Sequence, residues 1–179
     1  MQEQIIFAGF GGQGIMLMGK VLSYAAMKQG RFVTWMPSYG AEVRGGTAHS
    51  MVIISDSQIA SPIVKEPTIC VVMNKPSLQK FESKVKPKGL LIINKSLIEI
   101  DAKRKDVDML EIPGTDIAFK LGNSRVANMV ILGALLAKKP IVLKDYLIDS
   151  LKDVIPENRQ YLIPINKEAI DKGYEYCSC

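Results

Sequence analysis

The chain has 179 residues, 47% hydrophobic and 23% charged, with 14 glycines, 9 prolines and a formal net charge of +5. That much apolar content excludes a disordered chain, the glycines follow no collagen-like period, and every apolar run breaks before the ~18 residues of a membrane span. Three cysteines (Cys70, Cys177, Cys179) are too few for a disulfide framework, and Met1-Gln2-Glu3-Gln4 lacks the basic and apolar regions of a signal peptide, so a cytoplasmic protein is expected.

Gln4-Ile5-Ile6-Phe7-Ala8-Gly9 is a short apolar run ending on glycine and predicts a strand. A glycine cluster then leads into residues 15–26, a run long enough only for a helix, which Gly30 ends. Residues 31–36 predict a second strand, so the first 36 residues read as one βαβ unit with parallel pairing. Residues 37–47 form a loop at the C-terminal end of that strand, and 48–55 return to strand character. Residues 69–73 and 90–94 are continuous apolar runs of the kind buried on both faces, with a short helix between them over 77–85.

Lysines 84, 86, 88, 95, 103 and 105 follow, around the charged stretch 101–106, with little aromatic interleaving. They offer no platform for stacked bases, and no nucleic-acid partner is expected. Residues 109–112 predict an edge strand, after which Pro113-Gly114 turns the chain. The remainder reads as helical: 126–138 is apolar nearly all round and predicts a buried helix, whereas Tyr146, Leu147, Leu151, Val154 and Ile155 mark an amphipathic surface helix that Pro156 stops. The expected fold is a three-layer α/β/α, Rossmann-like domain spanning 1–179, its sheet mostly parallel and flanked by helices on both sides.

Gly9-Phe10-Gly11-Gly12-Gln13-Gly14 matches G-x-G-x-x-G between a strand and a helix, where the positive end of the helix dipole and unpaired backbone N–H groups can receive an anion. Two uses are open: contact with a ligand, or close packing of the helix on the sheet. The acidic residue that would hold a dinucleotide ribose is missing, since no carboxylate precedes Glu42, and Ile15-Met16 stands where a Walker loop needs Lys-Ser or Lys-Thr. The second loop, Pro37-Ser38-Tyr39-Gly40-Ala41-Glu42-Val43-Arg44-Gly45-Gly46-Thr47, sets an isolated Glu42/Arg44 pair among glycines. Arg44 there can grip a carboxylate or phosphate through two parallel hydrogen bonds with Glu42 orienting it, or the two can form a surface ion pair. Both loops are expected side by side at the C-terminal rim of the sheet.

These two strings in order, followed by Val52-Ile53-Ile54-Ser55-Asp56-Ser57, Met73-Asn74-Lys75-Pro76-Ser77, Gly122-Asn123 and Asn128-Met129-Val130-Ile131-Leu132-Gly133-Ala134, closely resemble the gamma subunit of 2-oxoacid:ferredoxin oxidoreductases. The resemblance implies a subunit of an enzyme that oxidatively decarboxylates a 2-oxoacid to its acyl-CoA and passes the electrons to ferredoxin or flavodoxin. It further implies alpha, beta and delta (ferredoxin-like) partner subunits that hold thiamine diphosphate, Mg2+ and [4Fe–4S] clusters. This chain would bind none of them alone, would be inactive in isolation, and would shape the active site and meet coenzyme A. The wording of the second loop favours 2-oxoglutarate over pyruvate, branched-chain oxoacids or indolepyruvate. A stand-alone nucleotide-binding regulatory domain is the alternative of a different class.

The site residues implied are Gly9, Gly11, Gly12, Gln13, Gly14, Tyr39, Glu42, Arg44, Gly45, Gly46, Thr47, Asn74 and Asn123, none of them catalytic and none a metal ligand. Backbone N–H groups of Gly11, Gly12 and Gln13, with Arg44, would meet coenzyme A or the anionic substrate. Asn74 and Asn123 would add amide hydrogen bonds, although turn formation alone explains them, and Tyr39 could equally anchor a chain interface. His49 reads as a satisfied histidine on a sheet face, and Cys177 and Cys179 as frayed terminal thiols.

Overall fold

The computed structural model describes residues 1–38 and 47–178. Strand β1 (Gln2–Gly9) runs through the middle of the sheet, and its alternation divides the core in two. Ile5 and Phe7 face one layer of helices, while Ile6 and Ala8 face the other. The remaining strands are β2 (Phe32–Ser38), β3 (Ala48–Ser55), β4 (Ile69–Val72), β5 (Leu90–Asn94) and β6 (Asp108–Ile112), in the spatial order β2-β3-β1-β4-β5-β6. Pairing is parallel from β1 through β4 and β5 to β6, and antiparallel where β3 meets β1 and β2.

The expected parallel pairing of the first two strands is therefore wrong. β3 lies between them, with Gly9 opposite Ala48 and Ser38 opposite His49. Burial explains the exchange: Val52, Ile53 and Ile54 are apolar toward both faces and need neighbours on both edges, whereas β2 leaves Phe32 exposed. β2 also contains Pro37, which cannot donate to a ladder and suits an edge.

Helix α1 (Ile15–Lys28) follows β1, and Gly30, with φ of +74°, ends it as expected. It shares one face of the sheet with α3 (Gly114–Lys120), α4 (Ala127–Lys138), α5 (Lys144–Val154) and α6 (Ile163–Ser178). Among the described residues, the other face carries α2 (Lys75–Phe81) and the segments around it. α4 is apolar all round because it is enclosed between the sheet and α6. Those two helices cross with their backbones touching: a methyl on Gly133 would fall on the Ile170 carbonyl, and one on Gly173 on the Val130 carbonyl. Among the described residues no helix is long and apolar enough to cross a membrane.

Candidate functional site

β1 and β4 are parallel neighbours whose chains leave in opposite directions, β1 into α1 on the five-helix face and β4 into α2 on the thin face. A crevice opens between such strand ends, and ligands of open α/β sheets bind there. The first glycine loop occupies it. Within the turn the Gln13 N–H donates to the Phe10 carbonyl at 3.2 Å, while Gly12 and Gly14 sit at φ of +92° and +73°. Both angles are in the left-handed region that side chains with a Cβ avoid.

The Gln13 side chain fastens this turn to the end of β4. Its Oε1 accepts from the Phe10 N–H at 2.7 Å and from Asn74 Nδ2 at 3.2 Å, and its Nε2 donates to the Met73 carbonyl at 3.1 Å. Asn74 is itself fixed as the N-cap of α2, its Oδ1 accepting from the Ser77 N–H at 2.8 Å. On the other side, buried Asn128 at the start of α4 donates to the Gly14 carbonyl at 3.4 Å, and a Cβ on Gly14 would strike its amide. Gly9 is equally constrained, because a methyl there would meet Gln13 Oε1 at 2.6 Å and Ile15 Cδ1 at 2.7 Å. The turn is thus pinned at both ends, and exposed Gly11 and Gly12 have no backbone hydrogen bond from their N–H groups among the described residues.

Two cavities flank the turn. One of about 400 Å3 is lined by Gly12, Gly14, Asn123, Arg125, Arg159 and Tyr161 among others, and one of about 230 Å3 by Gly12, Gln13, Met73, Thr115 and Arg125. Gly12 and Arg125 belong to both. Arg125 is aimed by the short 3-10 turn Ser124–Val126, where Asn123 Oδ1 accepts the Arg125 N–H at 3.1 Å. Neither Arg125 nor Arg159 is in an ion pair among the described residues. Two arginines and two amides without a backbone partner thus stand beside the N-terminus of a 14-residue helix, a set of groups with the chemistry to receive an anion.

Of the site residues expected from the sequence, Gly9, Gly11, Gly12, Gln13, Gly14, Asn74 and Asn123 come together here, but the Gln13 N–H expected to meet the ligand is instead spent on the Phe10 carbonyl, because it closes the turn. Buried Thr47 directly precedes Ala48, the partner of Gly9, so the ends of the second loop leave the sheet on the same rim. Tyr39, Glu42, Arg44, Gly45 and Gly46 lie outside the described residues. Arg125, Arg159 and Asn128 were not among the expected site residues. A glycine-asparagine turn and one arginine ahead of an otherwise apolar helix was the available signal for Arg125, and nothing in the sequence singled out Arg159.

His49 stands on the thin face with its ring tilted against that of Phe81, the centroids 5.2 Å apart. Cys177 departs from the frayed thiol expected: it lies on α6, half-buried against the core, and burial pushes its thiol pKa up. Among the described residues no three or more His, Cys, Asp or Glu side chains gather as metal ligands would.

The pyruvate ferredoxin/flavodoxin oxidoreductase family model matches residues 4–176. Among curated relatives, 2-oxoglutarate synthase subunit KorC of Methanocaldococcus jannaschii is 36% identical over 98% of this chain and 94% of its own length. Ketoisovalerate oxidoreductase subunit VorA of Methanothermobacter marburgensis is 32% identical over 98% of this chain, which spans only 36% of that protein. Among solved structures, the keto/oxoacid ferredoxin oxidoreductase gamma subunit of Geobacter sulfurreducens superposes with a TM-score of 0.85 at 28% identity, covering 98% of both chains. The 2-oxoglutarate:ferredoxin oxidoreductase of Magnetococcus marinus, solved with 2-oxoglutarate, coenzyme A and succinyl-CoA bound, gives 0.88 at 25% identity over 98% of this chain and 31% of that one. The chain belongs to the pyruvate ferredoxin/flavodoxin oxidoreductase family, as a gamma-type member.

Proposed function

We propose that this chain is the gamma subunit of a multi-subunit enzyme that oxidatively decarboxylates a 2-oxoacid to its acyl-CoA and delivers the electrons to ferredoxin or a similar carrier. The observation that carries the reading is the glycine turn pinned between Gln13–Asn74 and Asn128, with Gly12 and Arg125 lining both cavities and Gly11 exposed beside them. Coenzyme A is the anion we assign to it. Its diphosphate would lie against the Gly11 and Gly12 amides and the Arg125 and Arg159 forks, with Arg44, Glu42, Tyr39, Gly45, Gly46 and Thr47 of the second loop closing the rim. Coenzyme A in the Magnetococcus marinus structure, whose fold this chain shares, supports that choice.

Thiamine diphosphate with Mg2+ would supply the carbanion chemistry and [4Fe–4S] clusters the electron path, held by alpha, beta and delta subunits. The residues of this chain bind, orient and exclude water; Gln13 and Asn74 hold the amides in position before the ligand arrives, so little ordering entropy is lost on binding. We take 2-oxoglutarate as the oxoacid, with KorC at 36% identity beside VorA at 32% and the pyruvate synthase subunit PorC of Methanothermobacter thermautotrophicus at 30%. A stand-alone dinucleotide domain is disfavoured, because β3 separates β1 from β2 and the end of β2 carries no acidic residue.

The test is kinetic. In the reconstituted complex Arg125→Ala is expected to raise the KM for coenzyme A about tenfold, the worth of one charge-assisted contact of ~1.5 kcal/mol, with the KM for the oxoacid unchanged. An unchanged KM for coenzyme A removes Arg125 from the site, and recovery of the native protein as a lone chain refutes the subunit assignment. Rates on 2-oxoglutarate, pyruvate, ketoisovalerate and indolepyruvate identify the oxoacid.

A further inference from the structure

Lys65, Lys84, Lys86 and Arg104 line one cavity against the thin face of the sheet, and Lys75 and Lys103 line another beside it. Backbone pairing brings their segments together: the Lys88 N–H donates to the Asp106 carbonyl at 2.7 Å, and the amides of Lys103 and Arg104 both donate to the Glu82 carboxylate. The nearby carboxylates are largely committed. Glu82 is taken up by those two amides, and Asp106 receives both arms of the Arg104 fork, from Nε at 2.5 Å and Nη2 at 2.7 Å.

What remains is a cavity of about 630 Å3 with Lys65, Lys84 and Lys86 on its walls, none of them in an ion pair among the described residues, and Glu66 as its lining carboxylate. Its floor is largely apolar, made by Ile6, Met51, Val64, Phe81 and Val85 with the His49 ring against Phe81. The Lys84 ammonium is held 5.2 Å from the centre of the Phe81 ring, which fixes a cation at the edge of that floor. A merely solvated basic face has no reason to surround recessed hydrocarbon.

We propose that this cavity docks an acidic segment of a partner protein, one apolar side chain of which enters to the floor while flanking carboxylates meet Lys65, Lys84 and Lys86. Complementary charge selects the occupant, and shape excludes two others. A bilayer surface needs apolar groups that protrude, whereas Phe81 and Val64 are sunk below the lysines. Nucleic acid needs exposed rings on which to stack, and the Phe81 ring is buried.

Fluorescence anisotropy of the full chain with a labelled peptide of glutamates around one central phenylalanine tests this. The phenylalanine peptide is expected to bind at least about tenfold more tightly than an all-glutamate peptide of equal charge. Lys84→Glu with Lys86→Glu, both exposed positions, should abolish the binding, and raising the salt should weaken it steeply. Equal affinity for the two peptides, or binding that survives the double charge reversal, overturns the proposal. So does capture of the chain by vesicles of anionic phospholipid without any binding of the peptide.

Discussion

α4 takes part in two regions where glycine does opposite work. At its start Asn128 holds the turn of Gly12 and Gly14, whose missing Cβ atoms leave backbone exposed at a rim where cavities open. At its middle, Gly133 faces α6 and Gly173 faces back, and the missing Cβ atoms let two helix backbones exclude everything between them. In the first region glycine leaves amides without a backbone partner; in the second it removes the space between two helices. Stability should therefore reside in the crossing and function in the turn, and substitutions can separate the two.

The largest effect is expected at the crossing. Gly173→Ala puts a methyl onto the Val130 backbone and should cost about 3 kcal/mol in urea unfolding, since neither helix can yield without leaving the sheet. Gln13→Ala comes next, at about 2 kcal/mol, because the Phe10 N–H, Asn74 amide and Met73 carbonyl all lose their partner. Gly12→Ala has open space around it and strains only a positive φ, so it should cost about 1 kcal/mol while weakening coenzyme A binding in the complex. If Gly12→Ala destabilises as much as Gly173→Ala, the contrast between the regions is broken.

The cysteines sharpen the same contrast at smaller scale. Cys177 rides on α6 beyond the crossing, so Gly173→Ala should speed its alkylation, as read by mass spectrometry of that peptide, while Cys70 in β4 stays protected. Desolvation pushes the Cys70 thiol up to about 12 from an ordinary 9.0. A pKa raised in the folded state means that the unfolded chain ionises first as the medium becomes alkaline. The stabilising contribution is then whole below pH 9.0 and is lost toward about 12, with a loss of about 1 kcal/mol by pH 10 that Cys70→Ala should lack.

Most strands were legible because runs such as Leu90–Asn94 are apolar on both faces, which only a sheet covered twice accommodates. Strand order was not, because apolar runs state that a strand needs two neighbours without naming them, and β3 rather than β2 met that need beside β1. The glycine turn was readable from its position between strand and helix, and Asn74 from its place at a strand end. Arg125 and Asn128 are not legible as functional candidates, since their meaning depends on α4 folding back more than a hundred residues later to meet the turn. The half-buried Cys177 is not legible either, because proximity to the last residue says nothing of a helix that continues to Ser178.

Hydrogen exchange of the reconstituted complex, with and without coenzyme A, tests the central claim most directly. Protection of the amides in peptides covering 10–14 and 123–126 on adding coenzyme A, with α6 around Gly173 unchanged, is the predicted result. Exchange at the glycine turn that is indifferent to saturating coenzyme A would contradict it.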